Sequence, residues 1–193
     1  MHLNDPLPRH PFKLFLQVSA LAATLLLSTS CAVVSKDPSY RTPGAIVDDN
    51  VLEVMVEREI RKSDPGYEGS HMTVTTHNGL VLITGQVADE GLRSKAGEVA
   101  GNLRRVRKVH NELAVGGPIS FVARANDSWL TTKVKTRLVA KKDVPGNKIN
   151  VQVEDGVVFL LGMINRSQAD AAVAETSKIY GVQKIVKVFE YLD

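Results

Sequence analysis

Two stretches of this chain, Asn78-Gly-Leu-Val-Leu-Ile-Thr-Gly85 and Asp155-Gly-Val-Val-Phe-Leu-Leu-Gly162, repeat one pattern: a turn dipeptide, an apolar run, then a glycine. Gly79 and Gly156 stand 77 residues apart, a matched pair that marks a small unit present twice. Residues shared by the copies report on architecture, and residues that differ report on a role acquired by one of them.

Laid on each other, the copies give one element order. Asp48-Asp49-Asn50 and Asn126-Asp127-Ser128 offer N-cap chemistry ahead of helical spacings, Leu52–Met55–Val56–Ile60 and Leu130–Val134–Leu138. Alternating strands follow, Met72 to Thr75 and Ile149 to Glu154. Asn-Gly and Asp-Gly then predict tight hairpins, because both central residues of a type I′ turn need positive φ. The next strand is almost wholly apolar in each copy, which predicts cover on both faces. A second helix carries Leu92, Ala96, Val99, Ala100 and Leu103 in one copy and Ala169, Ala172, Val173, Thr176 and Ile179 in the other, with Gly181 placed to close it. Last strands run from about 106 to 115 and from 182 to 192. The fold class is therefore α+β: two tandem αββαβ domains, each with two helices on a small mixed three-stranded sheet.

The first thirty of the 193 residues read as an export signal. Arg9, His10 and Lys13 lead an apolar run from Leu14 to Leu27, and Ser28-Thr29-Ser30 precedes Cys31, the only cysteine. This arrangement resembles a bacterial lipobox, with Ser28 where such signals usually carry leucine and Leu27 one place earlier. It predicts acylation of Cys31 as the mature N-terminus; the alternative is a plain secretory signal with a free thiol. Several acyl chains anchor a protein stably. Ala32, rather than aspartate, follows the cysteine, which implies the outer membrane. The expected organisation is signal 1–30, lipidated tether 31–46, first domain 47–116, linker 117–124 and second domain 125–193.

The Asp-x-x-Leu helix starts, the hairpin glycines, and Gly181-Val182-Gln183-Lys184-Ile185 together resemble the BON domain, and the resemblance covers the whole mature chain. Asn126-Asp-Ser-Trp-Leu-Thr-Thr-Lys-Val-Lys135 is its most specific stretch. One departure is Arg105, which stands where the family carries glycine, so the closing turn of the first copy has no easy left-handed residue. The resemblance implies a periplasmic, non-catalytic protein that binds anionic phospholipid through its second domain and supports envelope integrity.

The residues point the same way independently. From Asp48 to Lys62, five carboxylates face three cations; from Asp127 to Lys142, Lys133, Lys135, Arg137, Lys141 and Lys142 face Asp127 alone. Trp129, the only tryptophan, lies roughly 140° from the Leu130–Val134–Leu138 stripe on a helical wheel, and its counterpart in the first copy is Val51. An exposed indole beside lysines suits a bilayer interface. The predicted lipid-binding residues are Trp129, Leu130, Thr132, Lys133, Lys135, Thr136 and Arg137, with an anionic lipid such as phosphatidylglycerol as partner. Two alternatives stay open: Trp129 anchors the domains to each other or to the linker, and the lysines form an ordinary solvated face. The basic run Arg104 to Lys108 lacks interleaved aromatics, so nucleic acid is not expected. His71, His77 and His110 have no metal spacing, no second thiol joins Cys31, and no Gly-rich loop opens a helix. No catalytic residue, cofactor or metal is expected. A second function class is an adaptor for outer-membrane assembly or cell-wall machinery. Nothing in the chain demands a dimer, and a monomer is expected.

Overall fold

The structure, a computed structural model, describes residues 41–193; the predicted signal, Cys31 and the tether up to residue 40 lie outside them. In the first copy, helix α1 (Pro43–Ser63) leads to strands β1 (Met72–His77) and β2 (Leu80–Val87), helix α2 (Glu90–Gly101) and strand β3 (Lys108–Val115). The second copy repeats the order with α3 (Phe121–Ala140), β4 (Asn150–Glu154), β5 (Val157–Ile164), α4 (Arg166–Thr176) and β6 (Lys184–Tyr191). In each sheet the hairpin strands are antiparallel and the last strand runs parallel to the middle one, giving the orders β1-β2-β3 and β4-β5-β6. This is the predicted pair of αββαβ domains.

Both hairpins use the predicted turn. Asn78 and Gly79 have φ of 51° and 72°, and Asp155 and Gly156 have 48° and 72°, the left-handed pair that a type I′ turn requires.

The first helices start earlier than the sequence suggests. Thr42 caps α1 by accepting from Ala45 N, with Pro43 in the first turn, and Ser120 caps α3 by accepting from Ala123 N. Residues 43–46, assigned to the tether, and 121–124, assigned to the linker, are therefore helical. Asp48, Asp49 and Asp127 sit inside helices rather than at their starts. Asp49 and Asp127 are buried, and each carboxylate grips the hairpin turn of its own domain. Asp49 accepts from Asn78 N at 2.8 Å and Gly79 N at 3.1 Å. Asp127 accepts from Asp155 N at 2.8 Å and Gly156 N at 2.9 Å. What looks like capping chemistry ties a helix to a turn about thirty residues away.

That grip and the Leu52–Val56–Ile60 stripe set the rotation of α1. Met55, part of the same apolar spacing, is left on the flank at 41% exposed. The second helices also differ at their ends. α4 stops at Thr176, so Ile179 reaches the core from the following turn, and Gly181 (φ 100°) serves that turn rather than capping the helix. In the first copy, Arg105 adopts the same left-handed conformation, φ 83°, and pairs with Asp48 at 2.9 Å. α2 closes without it, through Asn102 N donating to Glu98 O.

Each domain buries its helices on one face of its sheet, around Val56, Ile60 and Ile83 in the first and Leu130, Val134 and Leu160 in the second. The other sheet faces meet: Leu82 of β2 packs with Phe159 and Leu161 of β5 and Val188 of β6. The layers run helices, sheet, sheet, helices, which explains why β2 and β5 are apolar on both sides. Polar ties rim this seam. Gln86 Nε2 donates to Glu154 at 2.8 Å, and Arg107 clasps Glu190 with contacts of 2.6 and 2.9 Å. Among the described residues, the three core clusters begin at Leu52.

Candidate functional site

Helix α3 has two faces with opposite fates. At 100° per residue, Asp127, Leu130, Val134 and Leu138 fall together and are buried. The opposite face carries Phe121, Val122, Trp129 and Val139, all exposed, with Ala125, Thr132, Lys133 and Thr136 between them. From Phe121 to Val139 this face spans about 27 Å at 1.5 Å per residue. Asp127 is the only carboxylate on α3 and it points inward, so the outward face presents no negative charge.

Trp129 is 55% exposed, and Lys133 Nζ stands 4.3 Å from the centroid of its ring, a cation–π contact. The indole therefore faces solvent. The interdomain anchor is instead the Leu82–Phe159–Leu161–Val188 cluster. Thr132 donates to Ser128 O at 3.1 Å, and both Thr132 and Thr136 are exposed on the Trp129 side.

The other predicted residues separate from this group. Leu130 is fully buried in the second core, so it supports the helix and offers no contact surface. Lys135 turns toward the first domain and lines a cleft of ≈ 400 Å³ with Arg41, His77 and Lys148. Arg137 and Lys141 reach Glu175 of α4, at 2.9 and 3.4 Å, and Lys178 joins them at 2.6 Å. The hydrogen bond from Lys178, with those from Arg137 and Lys141, holds the Glu175 carboxyl down at about 2. The cationic ridge is thus smaller than the sequence implies, because a carboxylate 38 residues from Arg137 absorbs part of it.

Sequence reasoning misses Phe121, Val122 and Val139. Its domain boundary leaves the first two in the linker, and only the true helix start at Ser120 extends the Ala125–Trp129 face back to them. Within the run Arg104 to Lys108, Arg105 is tied to Asp48, and Arg107 to Glu190 and to Asn78 O at 3.1 Å.

The histidines are dispersed. His71 lies 3.7 Å from Glu154, and His110 sits in β3. His77 is buried, with Arg41 Nη1 donating to its Nδ1 at 3.3 Å. Burial, reinforced by the Arg41 charge, lowers His77 to about 4, so it is neutral at pH 7. Burial raises the Glu154 carboxyl. Among the described residues no three metal-ligating side chains cluster, and no helix is long and apolar enough to cross a membrane.

Tandem αββαβ domains, joined sheet to sheet and presenting an outward apolar-basic helix, define a class of small two-domain modules. The chain belongs to the BON domain family, whose pattern matches residues 48–117 and 126–193. It is 39% identical over 180 residues to the outer membrane lipoprotein DolP of Haemophilus influenzae, covering 93% of this chain and 92% of that protein. It is 34% identical over 152 residues to the 21 kDa hemolysin of Actinobacillus pleuropneumoniae, covering 79% of this chain and 78% of that one. The osmotically-inducible protein Y of Escherichia coli is 26% identical over 152 residues, 77% of this chain and 75% of its own length.

Proposed function

We propose that this protein is a non-enzymatic outer-membrane lipoprotein, acylated at Cys31 and facing the periplasm, that binds anionic phospholipid through the outward face of α3 and supports envelope integrity. The main support is that face itself: exposed Phe121, Val122, Trp129 and Val139 on one side of a helix, with Lys133 among them and no carboxylate. Apolar and aromatic side chains enter the headgroup region while lysines meet phosphate. Similarity to DolP supports the outer-membrane lipoprotein part.

Lys133 and Lys142, which form no ion pair among the described residues, each add on the order of 1 kcal/mol near an anionic surface. Arg137 and Lys141 add less while Glu175 holds them. The contact is weak alone and sufficient for a molecule already tethered, since anchoring makes the second contact intramolecular. In dilute solution the soluble form is a monomer.

The test uses residues 32–193 and the fluorescence of Trp129, the sole tryptophan. Phosphatidylglycerol vesicles should shift its emission to the blue, salt should weaken the effect, and phosphatidylcholine vesicles should leave it unchanged. Trp129→Ala should reduce co-sedimentation with anionic vesicles while leaving the melting temperature within about 2 °C, since exposed sites change stability by less than ~0.5 kcal/mol. An emission maximum indifferent to both vesicles would remove the lipid function. It would leave the second reading, an adaptor for outer-membrane assembly or cell-wall machinery, which the aliphatic outer face of α1 favours.

A further inference from the structure

The outward face of α1 corresponds, 78 residues earlier, to the α3 face. Val47, Val51, Val54, Met55 and Arg58 occupy the places of Ala125, Trp129, Thr132, Lys133 and Thr136. Val47, Val51, Val54 (68%) and Met55 are exposed, on the side of α1 opposite the buried Leu52–Val56–Ile60 stripe. Val51, Val54 and Met55, with Arg58, Glu59 and Leu103, line a groove of ≈ 430 Å³ between α1 and the turn that follows α2. Single surface valines are ordinary. Four apolar side chains on one face of a helix whose other face is already packed mark an interaction surface.

An anionic bilayer fits this face poorly, because Asp48 and Glu59 flank it. A second copy fits it in two ways. Val47, Val51, Val54 and Arg58 follow steps of four, three and four, the spacing that lets two helices interlock along a seam. The seam also has opposite charges at its ends: Asp48 beside Val47, a carboxylate that stays 59% exposed while it pairs with Arg105 of its own copy, and Arg58, which forms no ion pair among the described residues. Antiparallel pairing sets Val51 against the second copy's Val54 and brings Arg58 to the second copy's Asp48, at both ends at once. Parallel pairing would stack Arg58 on Arg58.

We propose that α1 docks on α1 of a second copy, antiparallel, about a twofold axis between Val51 and Val54. Such an isologous contact closes as a dimer. It buries on the order of 400 Å² per copy, about half of the ~800 Å² per partner of a stable interface. It therefore forms at high local concentration, such as tethering to one membrane provides, and not in dilute solution. This inference goes beyond lipid binding by α3 and does not depend on it.

The form lacking residues 1–31 has no cysteine, which allows a clean cross-linking test. At protein concentrations near 1 mM under oxidising conditions, Val54→Cys, close to the axis, should form a disulfide dimer. Val47→Cys should not, because its counterpart lies about 17 Å away along the antiparallel pair and a disulfide needs Cα atoms within about 7 Å. Arg58→Glu introduced beside Val54→Cys should cut the dimer yield several-fold, and Trp129→Ala should leave it unchanged. Sedimentation equilibrium of the cysteine-free protein should show self-association at that concentration, absent in Val54→Glu. A monomer at 1 mM, or equal cross-linking at Val47 and Val54, overturns the proposal. So does a Val54→Glu variant that loses anionic-vesicle binding as Trp129→Ala does, which would make the stripe a second lipid contact.

Discussion

The buried aspartates are the most consequential feature that the structure adds, and Asp127→Ala tests them directly. Asp127 accepts two hydrogen bonds, at 2.8 and 2.9 Å, from consecutive backbone N–H groups of the β4–β5 turn. Hydrogen bonds to a charged group are each worth about 1.5–3 kcal/mol, and removing the acceptor leaves the Gly156 donor buried and the Asp155 donor half-buried without a partner. The expected loss is about 4 kcal/mol. In a two-domain unit of this size that lowers the melting temperature by about 10 °C. Asp127→Asn keeps one acceptor oxygen but turns an amide N–H toward the second donor, so it should lose roughly half as much. Were Asp127 merely a helix-start residue, the dipole contribution would be about 0.3–1 kcal/mol and confined to the first turn, whereas Asp127 lies well inside α3, beyond its first turn.

Urea unfolding of residues 32–193 followed by circular dichroism gives the energies, and amide hydrogen exchange gives the location. The Asp155 and Gly156 amides should exchange faster in Asp127→Ala, with Ser128→Ala as a silent neighbour. A cost below about 1 kcal/mol, or protection at those amides unchanged in the variant, would refute the clamp.

Three further outcomes follow from the geometry. Arg105→Gly should stabilise the first domain by about 0.5–1 kcal/mol, because a left-handed residue with a Cβ is strained and the exposed Asp48 pair offsets little; a measured loss of stability contradicts this. His77 is held at about 4, below its unfolded value near 6.5, so the unfolded chain binds the extra proton first. Its contribution, about 3 kcal/mol, is complete above pH 6.5 and disappears as pH falls toward 4; the difference in urea stability between the protein and His77→Gln should shrink across that window. Phe159→Ala, in the seam between the sheets, should cost about 3–4 kcal/mol and split one calorimetric transition into two, while a single transition would show that the domains couple by other means.

The hairpins and the element order were legible because their determinants are local: Asn78-Gly79 and Asp155-Gly156 carry the turn conformation in two residues. The exposure of Trp129 was legible from its angle to Leu130, Val134 and Leu138. Helix starts were not, because aspartate at 49 and 127 resembles an N-cap, while the residues that cap, Thr42 and Ser120, lie in stretches with no apolar period of their own. The fate of the basic residues was hidden for a different reason. Glu175 belongs to another helix, and only the fold brings it to Arg137 and Lys141. The all-apolar β2 and β5 announced a second buried face, but nothing in a strand's own pattern says that the cover is the sister domain.

The division of labour between the copies follows from which positions the fold leaves free. Along the first helix, the positions of Asp49, Leu52, Val56 and Ile60 are repeated by Asp127, Leu130, Val134 and Leu138, all buried, since each holds a turn or fills a core. Positions on the far side stay exposed and fill neither core, so their chemistry can change at little cost to stability. Sheet-to-sheet packing keeps both outer helical faces uncovered after the domains join. One copy filled that freedom with Trp129 and Lys133, and the other with Val51 and Met55. Exchanging the faces decides whether these side chains alone confer binding. Val51→Trp with Met55→Lys, together with Asp48→Asn and Glu59→Gln to remove the flanking carboxylates, should give the first domain anionic-vesicle binding in a protein whose Trp129 and Lys133 are replaced by valine and methionine. If the swapped protein folds normally and stays off the vesicles, the exposed Phe121 and Val122, which α1 lacks, are part of the binding surface rather than bystanders.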